Sequence, residues 1–357
     1  MKKLTKISLV VFAISAMASS AFAGALSISG SAKASYTISG GQQTAAKGIG
    51  IGNEFTLGAA GELDNGYTWS YAMDLDPAAG GAVSNDDAKL TVGTPYGTVG
   101  IFVSEGGLQT DYGWGTGALG KGSDFASPMS MIYGSNISDY NNIQYHLPSG
   151  LLPFGITGKI GYAPGAAKDA GNDFKSQGNA AGEDAAGTSA EQYQVTMAPL
   201  EGLTIQADYI KVDDTTATNA TSTDNDATDN GSVSIKYATG PITVGVGETR
   251  TSLPHDKVAT AYAIQGYQNQ SFDISYAMNE NLSLSFQQEA STRNQVKLIA
   301  GTAVDEQNDR KSTQQTLMAA YTVGGATLGL TMIDVENSDY TDDKSENLTL
   351  FTVEMAF

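Results

Sequence analysis

The chain has 357 residues, no cysteine and a formal net charge of −19, with charged residues at only 16% and 42 glycines. Without cysteine it can form neither a disulfide framework nor a thiolate metal site. An acidic balance of this size excludes nucleic acid, whose phosphates call for clustered Lys and Arg. So few charges and so much glycine also depart from the composition of an ordinary soluble domain.

Residues 1–23 read as a secretory signal peptide: Lys2, Lys3 and Lys6 form a basic start, 7–17 an apolar core, and Ala21-Phe22-Ala23 a small-x-small cleavage site. The mature chain, 24–357, is then more acidic still, because three of the 19 Lys and Arg leave with the signal. No later apolar run approaches the roughly 18 residues that a membrane helix needs. Entry into a membrane would therefore require a closed β-barrel, the other structure that satisfies every backbone group in lipid.

Period-two alternation dominates the mature chain. Leu26, Ile28, Ala32, Ala34, Tyr36 and Ile38 alternate with Ser27, Ser29, Ser31, Lys33, Ser35 and Thr37. Similar runs follow at 49–57, 67–75, 90–92, 99–103, 143–147, 154–162, 193–197, 203–209, 233–237, 242–246, 262–276, 282–286, 317–323, 328–332 and 351–357, sixteen strands in all. Tight turns such as Asp64-Asn65-Gly66, Pro95-Tyr96, Asn279-Glu280-Asn281 and Gly324-Gly325 alternate with long polar connections at 165–188, 213–230 and 293–310. All nine prolines fall at strand ends, turns or loops, where no ladder hydrogen bond is lost. Strands of one kind lie on both sides of 213–231, so that stretch is no domain linker.

The polar face separates a membrane barrel from a soluble sandwich. A solvated face should be rich in Lys, Glu and Arg, yet the polar positions are mostly Ser, Thr, Gln, Asn and Gly, as in Ser283/Ser285/Gln287 and Gln192/Gln194/Thr196. Trp69, Tyr145, Tyr162, Tyr209, Tyr237, Tyr276 and Tyr321 sit near strand ends on the apolar face, as an interfacial girdle would. The predicted fold is all-β: a 16-stranded antiparallel up-and-down transmembrane barrel, wide enough to leave an aqueous channel. Residues 106–138 break the rhythm. This long connection carries Tyr112, Trp114, Phe125, Met129, Met131 and Tyr133 among Asp111, Lys121 and Asp124. Loops of that length are usually functional or disordered, and so much surface to bury argues against disorder. It is expected to fold into the barrel as a constriction.

The post-signal Ala25-Leu-Ser-Ile-Ser-Gly-Ser-Ala-Lys33, the Tyr96-Gly-Thr-Val-Gly-Ile-Phe102 strand before the long loop and the terminal Phe351-Thr-Val-Glu-Met-Ala-Phe357 occur in an order that resembles the Gram-negative general-diffusion porins, most closely the alphaproteobacterial type. The resemblance covers the whole mature chain. It implies a homotrimer in the outer membrane, in contact with its lipid and lipopolysaccharide, with the third loop folded inward. It also implies that Phe357, with Phe351, Val353 and Met355, is the signal read by the barrel-assembly machinery. One departure stands out: such porins set a dense arginine cluster against the acidic loop, whereas this chain has only Arg250, Arg293 and Arg310, all near expected loops.

The candidate pore constriction sets Glu105, Asp111 and Asp124 of the loop against lumen lysines Lys33, Lys89, Lys159 and Lys236. Opposite charges across a narrow passage create a transverse field that orients dipolar solutes. The competing reading is solvated charge on a wide wall, and Lys121 could pair with Asp124 to brace the loop. With acids in excess, mild cation selectivity is expected for small hydrophilic solutes and ions passing by passive diffusion. Asp224, Asp226 and Asp229 lack the distal bidentate Glu of an EF-hand; a loose Ca²⁺ site and a solvated acidic loop both remain open, and no other cofactor is expected. Catalysis needs a nucleophile with a positioned histidine. The only histidines are His255, in a loop, and His146, beside a tight turn, so no enzyme is expected. The remaining alternatives are a substrate-selective channel, with Tyr112, Trp114 and Tyr133 as a stacking track, and a structural or adhesive barrel.

Overall fold

The computed structural model describes residues 25–41, 46–77, 83–110, 117–122, 134–164, 189–213, 227–253, 262–299 and 302–357. In chain order the strands are β1 (Ala25–Gly41), β2 (Ala46–Glu62), β3 (Thr68–Pro77), β4 (Val83–Thr94), β5 (Gly97–Val103), β6 (Asn142–His146), β7 (Thr157–Ala163), β8 (Ser189–Leu200) and β9 (Leu203–Asp213). They continue as β10 (Ala227–Thr239), β11 (Ile242–Ser252), β12 (Tyr262–Ala277), β13 (Leu282–Ile299), β14 (Thr302–Gln307), β15 (Arg310–Val323), β16 (Ala326–Glu336) and β17 (Glu346–Ala356). Neighbours pair antiparallel, and β1 pairs with both β2 and β17, so the sheet closes on itself. At the seam Gly30 and Phe357 exchange two backbone hydrogen bonds of 2.9 Å, and the Phe357 ring lies 5.5 Å from that of Phe55.

Strands β14 and β15 both pair with β13, one above the other, with only Asn308 and Asp309 between them. Across that break Asn308 N–H still donates to Gln295 O at 2.9 Å, and Gln295 N–H donates to Asp309 Oδ1 at 3.3 Å. They form one interrupted barrel strand, and the barrel has the sixteen strands expected.

Which face is inside follows from burial. Leu317 (54% exposed), Met332 (44%) and Leu284 (40%) stand bare, while Gln287, Glu289, Ser291 and Gln314 on the same or adjoining strands are fully buried. A water-soluble fold would bury the first set and expose the second. The apolar side therefore faces lipid and the hydroxyl and amide side faces the interior. Tyr145, Tyr237, Tyr276 and Tyr321 ring the short-turn end, and Tyr36, Tyr162, Tyr193 and Tyr209 the long-loop end, the two girdles of a membrane-spanning barrel. Just beyond the second girdle Tyr193 Oη donates to Glu191 and Tyr209 Oη to Asp229, fixing where the wall becomes polar.

Several expected boundaries differ. The seventh strand begins at Thr157, because Pro153–Gly155 form a 3₁₀ turn with Phe154 at φ +58°. Residues 293–310 are mostly strand, the ends of β13 and β15 with β14 between them, and β10 starts at Ala227, inside the expected 213–230 loop. Beyond the lipid neither face needs to be apolar, so the alternation fades while the backbone ladder continues.

Candidate functional site

The long connection after β5 is held at its base by the inward side chains of β6. Asn142 Nδ2 lies within hydrogen-bond reach of the carbonyls of Glu105 (3.2 Å), Ile137 (3.1 Å) and Tyr140 (2.9 Å), so one amide ties the loop's departure to its return. Gln144 Nε2 donates to Gly106 O and to Asn142 Oδ1 (2.8 Å). With both its N–H groups committed, Gln144 can only accept at Oε1, so His146 donates to it from Nε2 at 2.7 Å. That fixes the His146 tautomer and gives this histidine a scaffold role.

From this base the outgoing limb runs along the inner wall to β8 and β9. Gln194 Nε2 donates to Leu108 O at 2.7 Å, and Thr110 N–H donates to Asp208, itself held by Gln192 Nε2 at 3.2 Å. The return limb locks onto both: Ile137 N–H donates to Gln192 Oε1 at 2.8 Å, and Asn136 Oδ1 accepts from Leu108 N–H at 3.1 Å. Leu108, Ile137 and Tyr140 pack on Ala163, Ala190, Ile210 and Val212 in a dry knot. Ile210 and Val212 face inward while Tyr209 and Lys211 face outward, the reverse of the chemistry lower on β9. Sequence reasoning missed this apolar anchor.

Residues 117–122 lie on the far wall. Ala118 N–H donates to Ser285 Oγ at 2.8 Å, Gly122 N–H to Gln287 Oε1 at 2.6 Å, and Gln287 Nε2 to Gly120 O at 3.1 Å. A β-carbon at Gly329 would fall 2.9 Å from Leu119 Cδ1, so glycine there is what admits the leucine. The described parts of the segment thus touch the inward face of β8 and β9 on one side and of β13 and β16 on the other. Gln287→Ala removes two of the three far-side hydrogen bonds and should destabilise the barrel by roughly 1–3 kcal/mol, read as a lower urea midpoint.

Of the expected constriction residues, Lys89 and Glu105 form an ion pair, and Lys33 on β1 pairs with Glu354 on β17 at 2.9 Å. Lys159 on β7 lies opposite His146 in register, and Lys236 faces inward on β10 near the turn-side rim, beside Glu201 and Thr204. Lys121 sits on the far wall between the anchored Gly120 and Gly122. Asp111 and Asp124, and the aromatics and methionines at 112, 114, 125, 129, 131 and 133, lie outside the described residues, as do Asp224, Asp226 and His255. Asp229 is on β10, facing outward to Tyr209. The arginines sit at the loop-side ends of strands: Arg250 pairs with Glu248 at 2.6 Å, Arg310 with Asp342, and Arg293 lies 4.9 Å over the Tyr340 ring.

A closed sixteen-stranded barrel with a lipid-facing apolar wall, a polar interior and an inward-lying segment narrows the choice of family sharply. A family model described as Gram-negative porin matches residues 7–271. The chain belongs to the Gram-negative porin family. It is accordingly an outer-membrane porin, a multi-pass β-barrel channel and not an enzyme. Among solved structures, this porin is similar to a loop L8 deletion mutant of OmpT, an outer membrane protein of Vibrio cholerae, at 16% identity and a TM-score of 0.65, covering 94% of this chain and 99% of that one. The in-vitro folded trimer form of OmpT from Vibrio cholerae gives 13% identity, a TM-score of 0.61, and 94% and 100% coverage. The anion-selective porin from Comamonas acidovorans gives 12%, 0.60, and 94% and 100%. At such identities the likeness is one of fold. No curated protein matches the chain in sequence.

Proposed function

We propose that this porin is a homotrimeric, mildly cation-selective channel for passive diffusion of small hydrophilic solutes and ions, narrowed by the loop that follows β5. The observation that carries this reading is an uneven interior. Asn269, Asp273, Gln287, Glu289 and Ser291 on β12 and β13 are fully covered, whereas a β-carbon on Gly48 or Gly52 of β2 would meet nothing within 4 Å. Water and solutes are best accommodated on the β1–β5 side. There the carboxylates of Glu54, Asp74, Glu105 and Glu354 stand against two ammonium groups, Lys33 and Lys89, so the passage favours cations. Salt weakens this preference, since the screening length is about 8 Å at physiological ionic strength. Lys159 and Lys236 on the other side add to a transverse field that would turn dipolar solutes as they pass. Passage down a gradient needs no cofactor.

The trimer form of the Vibrio relative supports a trimer here. Removal of residues 1–23 on export, assembly through the terminal Phe357 and contact with lipopolysaccharide belong to the same reading. The deciding experiment is the reversal potential of purified protein in a planar bilayer under a KCl gradient. It should carry the sign of cation preference and shrink in a Glu54→Gln/Asp74→Asn double variant; anion preference overturns the assignment. In liposome swelling, uptake should fall smoothly with solute size. A sharp preference among solutes of equal size would mean a substrate-selective channel, and absence of conductance a structural barrel.

A further inference from the structure

The connection between β16 and β17, residues 337–345, also turns into the barrel. At its two feet the wall reverses its chemistry: Ile333 and Val335 face inward with Asp334 and Glu336 outward, and Leu348 is buried beside them. Four residues of this short loop, Asn337, Asp339, Tyr340 and Asp343, have φ between +54° and +61°. Left-handed backbone is costly for a residue as bulky as tyrosine and persists only where the surroundings impose it.

The surroundings here do impose it. Tyr340 is 5% exposed. Its ring packs on Tyr267 of β12 at 5.8 Å between centroids, the Arg293 guanidinium lies 4.9 Å over it, and its Oη is 2.7 Å from Ser291 Oγ on β13. All three partners point into the barrel, and β15 lies between β13 and β16 in the sheet, so the loop spans the inside of β15 to reach them. The strap is cross-braced. Ser338 Oγ donates to Glu346 Oε2 at 3.1 Å, Ser338 N–H donates to Lys344 O at 2.8 Å, and Lys344 Nζ reaches Asp339 at 2.6 Å and Glu346 at 3.2 Å. On the same strand β13, Ser285 and Gln287 carry residues 117–122, Glu289 is fully buried, and Ser291 and Arg293 carry Tyr340.

We propose that the β16–β17 loop is a second narrowing of the passage, set at its mouth above the first, and that Tyr340 is the buckle fixing its aperture and hence the size limit for neutral hydrophilic solutes. The proposal rests on the diffusion-channel reading. Single-channel conductance and liposome swelling with sugars of increasing size should be compared for the wild type, Tyr340→Ala and Tyr340→Phe. Tyr340→Ala should raise conductance and increase entry of the largest admitted sugar severalfold relative to the smallest. Tyr340→Phe, which keeps the contacts with Tyr267 and Arg293, should stay near wild type. Should Tyr340→Ala fail to assemble, replacing residues 338–343 by a glycine-serine linker of equal length gives the same readout. Conductance and size series unchanged in the assembled variants overturn the proposal, whereas a silent wild type would instead remove the channel reading beneath it.

Discussion

An arginine placed at Leu330 should destabilise the folded barrel in lipid vesicles by about 2–4 kcal/mol, the cost of a cation near the middle of the membrane. Leu330 lies in β16 between Leu328 and Met332 on its own outward face, with Ala319 and Phe351 as cross-strand neighbours, so no polar group is at hand for the guanidinium. The paired change is Gly52→Arg. A side chain there enters open space on the inner side of β2, next to Lys33 in register, and should leave the urea midpoint nearly unchanged while lowering conductance and cation preference. The pair tests the orientation on which every other assignment depends. A stability cost larger at Gly52 than at Leu330 would mean that inside and outside have been exchanged.

That orientation was legible in the sequence wherever lipid imposes it. Runs such as Leu282-Ser-Leu-Ser-Phe286 and Tyr193-Gln-Val195 must alternate because one face meets hydrocarbon and the other water, and these runs yielded the sixteen strands and their order. Above the lipid the constraint lapses. Thr292-Arg-Asn-Gln295 is polar on both faces, so it read as loop although it continues the β13 ladder. The destination of the inward segments was hidden for another reason. Their partners are far apart in sequence, as with Gly122 and Gln287, and alternation says nothing about such pairings. One usable signal was present: adjacent apolar residues that flip the phase of a strand, Tyr209-Ile210, Met332-Ile333 and Leu350-Phe351. Each flip lies where the wall stops facing lipid and turns an apolar surface inward; the one on β9 receives the long loop, and those on β16 and β17 lie at the feet of the short one. The excess of acids was legible as composition, but its distribution was not. Among the described residues Lys33 and Lys89 each have a carboxylate beside them, which a charge count cannot reveal.

Asn142→Ala should have the largest effect of any single change inside the barrel, on the order of 3 kcal/mol of stability, with flickering single-channel currents. The estimate follows from the bonding. The two N–H groups of one amide are shared among three carbonyls and its oxygen accepts from Gln144, about three hydrogen bonds in all, each worth roughly 1 kcal/mol net and more where the abandoned acceptor stays buried. Asn142 is itself 4% exposed, so water cannot readily take its place. The mechanical consequence comes from position. The three carbonyls belong to both limbs of the inward loop, so removing the amide frees its departure from its return, and the loop then fluctuates across the passage on the timescale of conduction. Asn142→Asp separates donor loss from cavity formation. It keeps the shape but aims a carboxylate at three carbonyl oxygens, and at neutral pH should be at least as damaging as alanine, with partial recovery in acid as the carboxyl regains a donor hydrogen. If the alanine variant instead unfolds at the wild-type urea concentration and conducts quietly, the loop is held elsewhere, by the Asp208, Gln192 and Gln194 contacts on β8 and β9, and the β6 amides are only spectators.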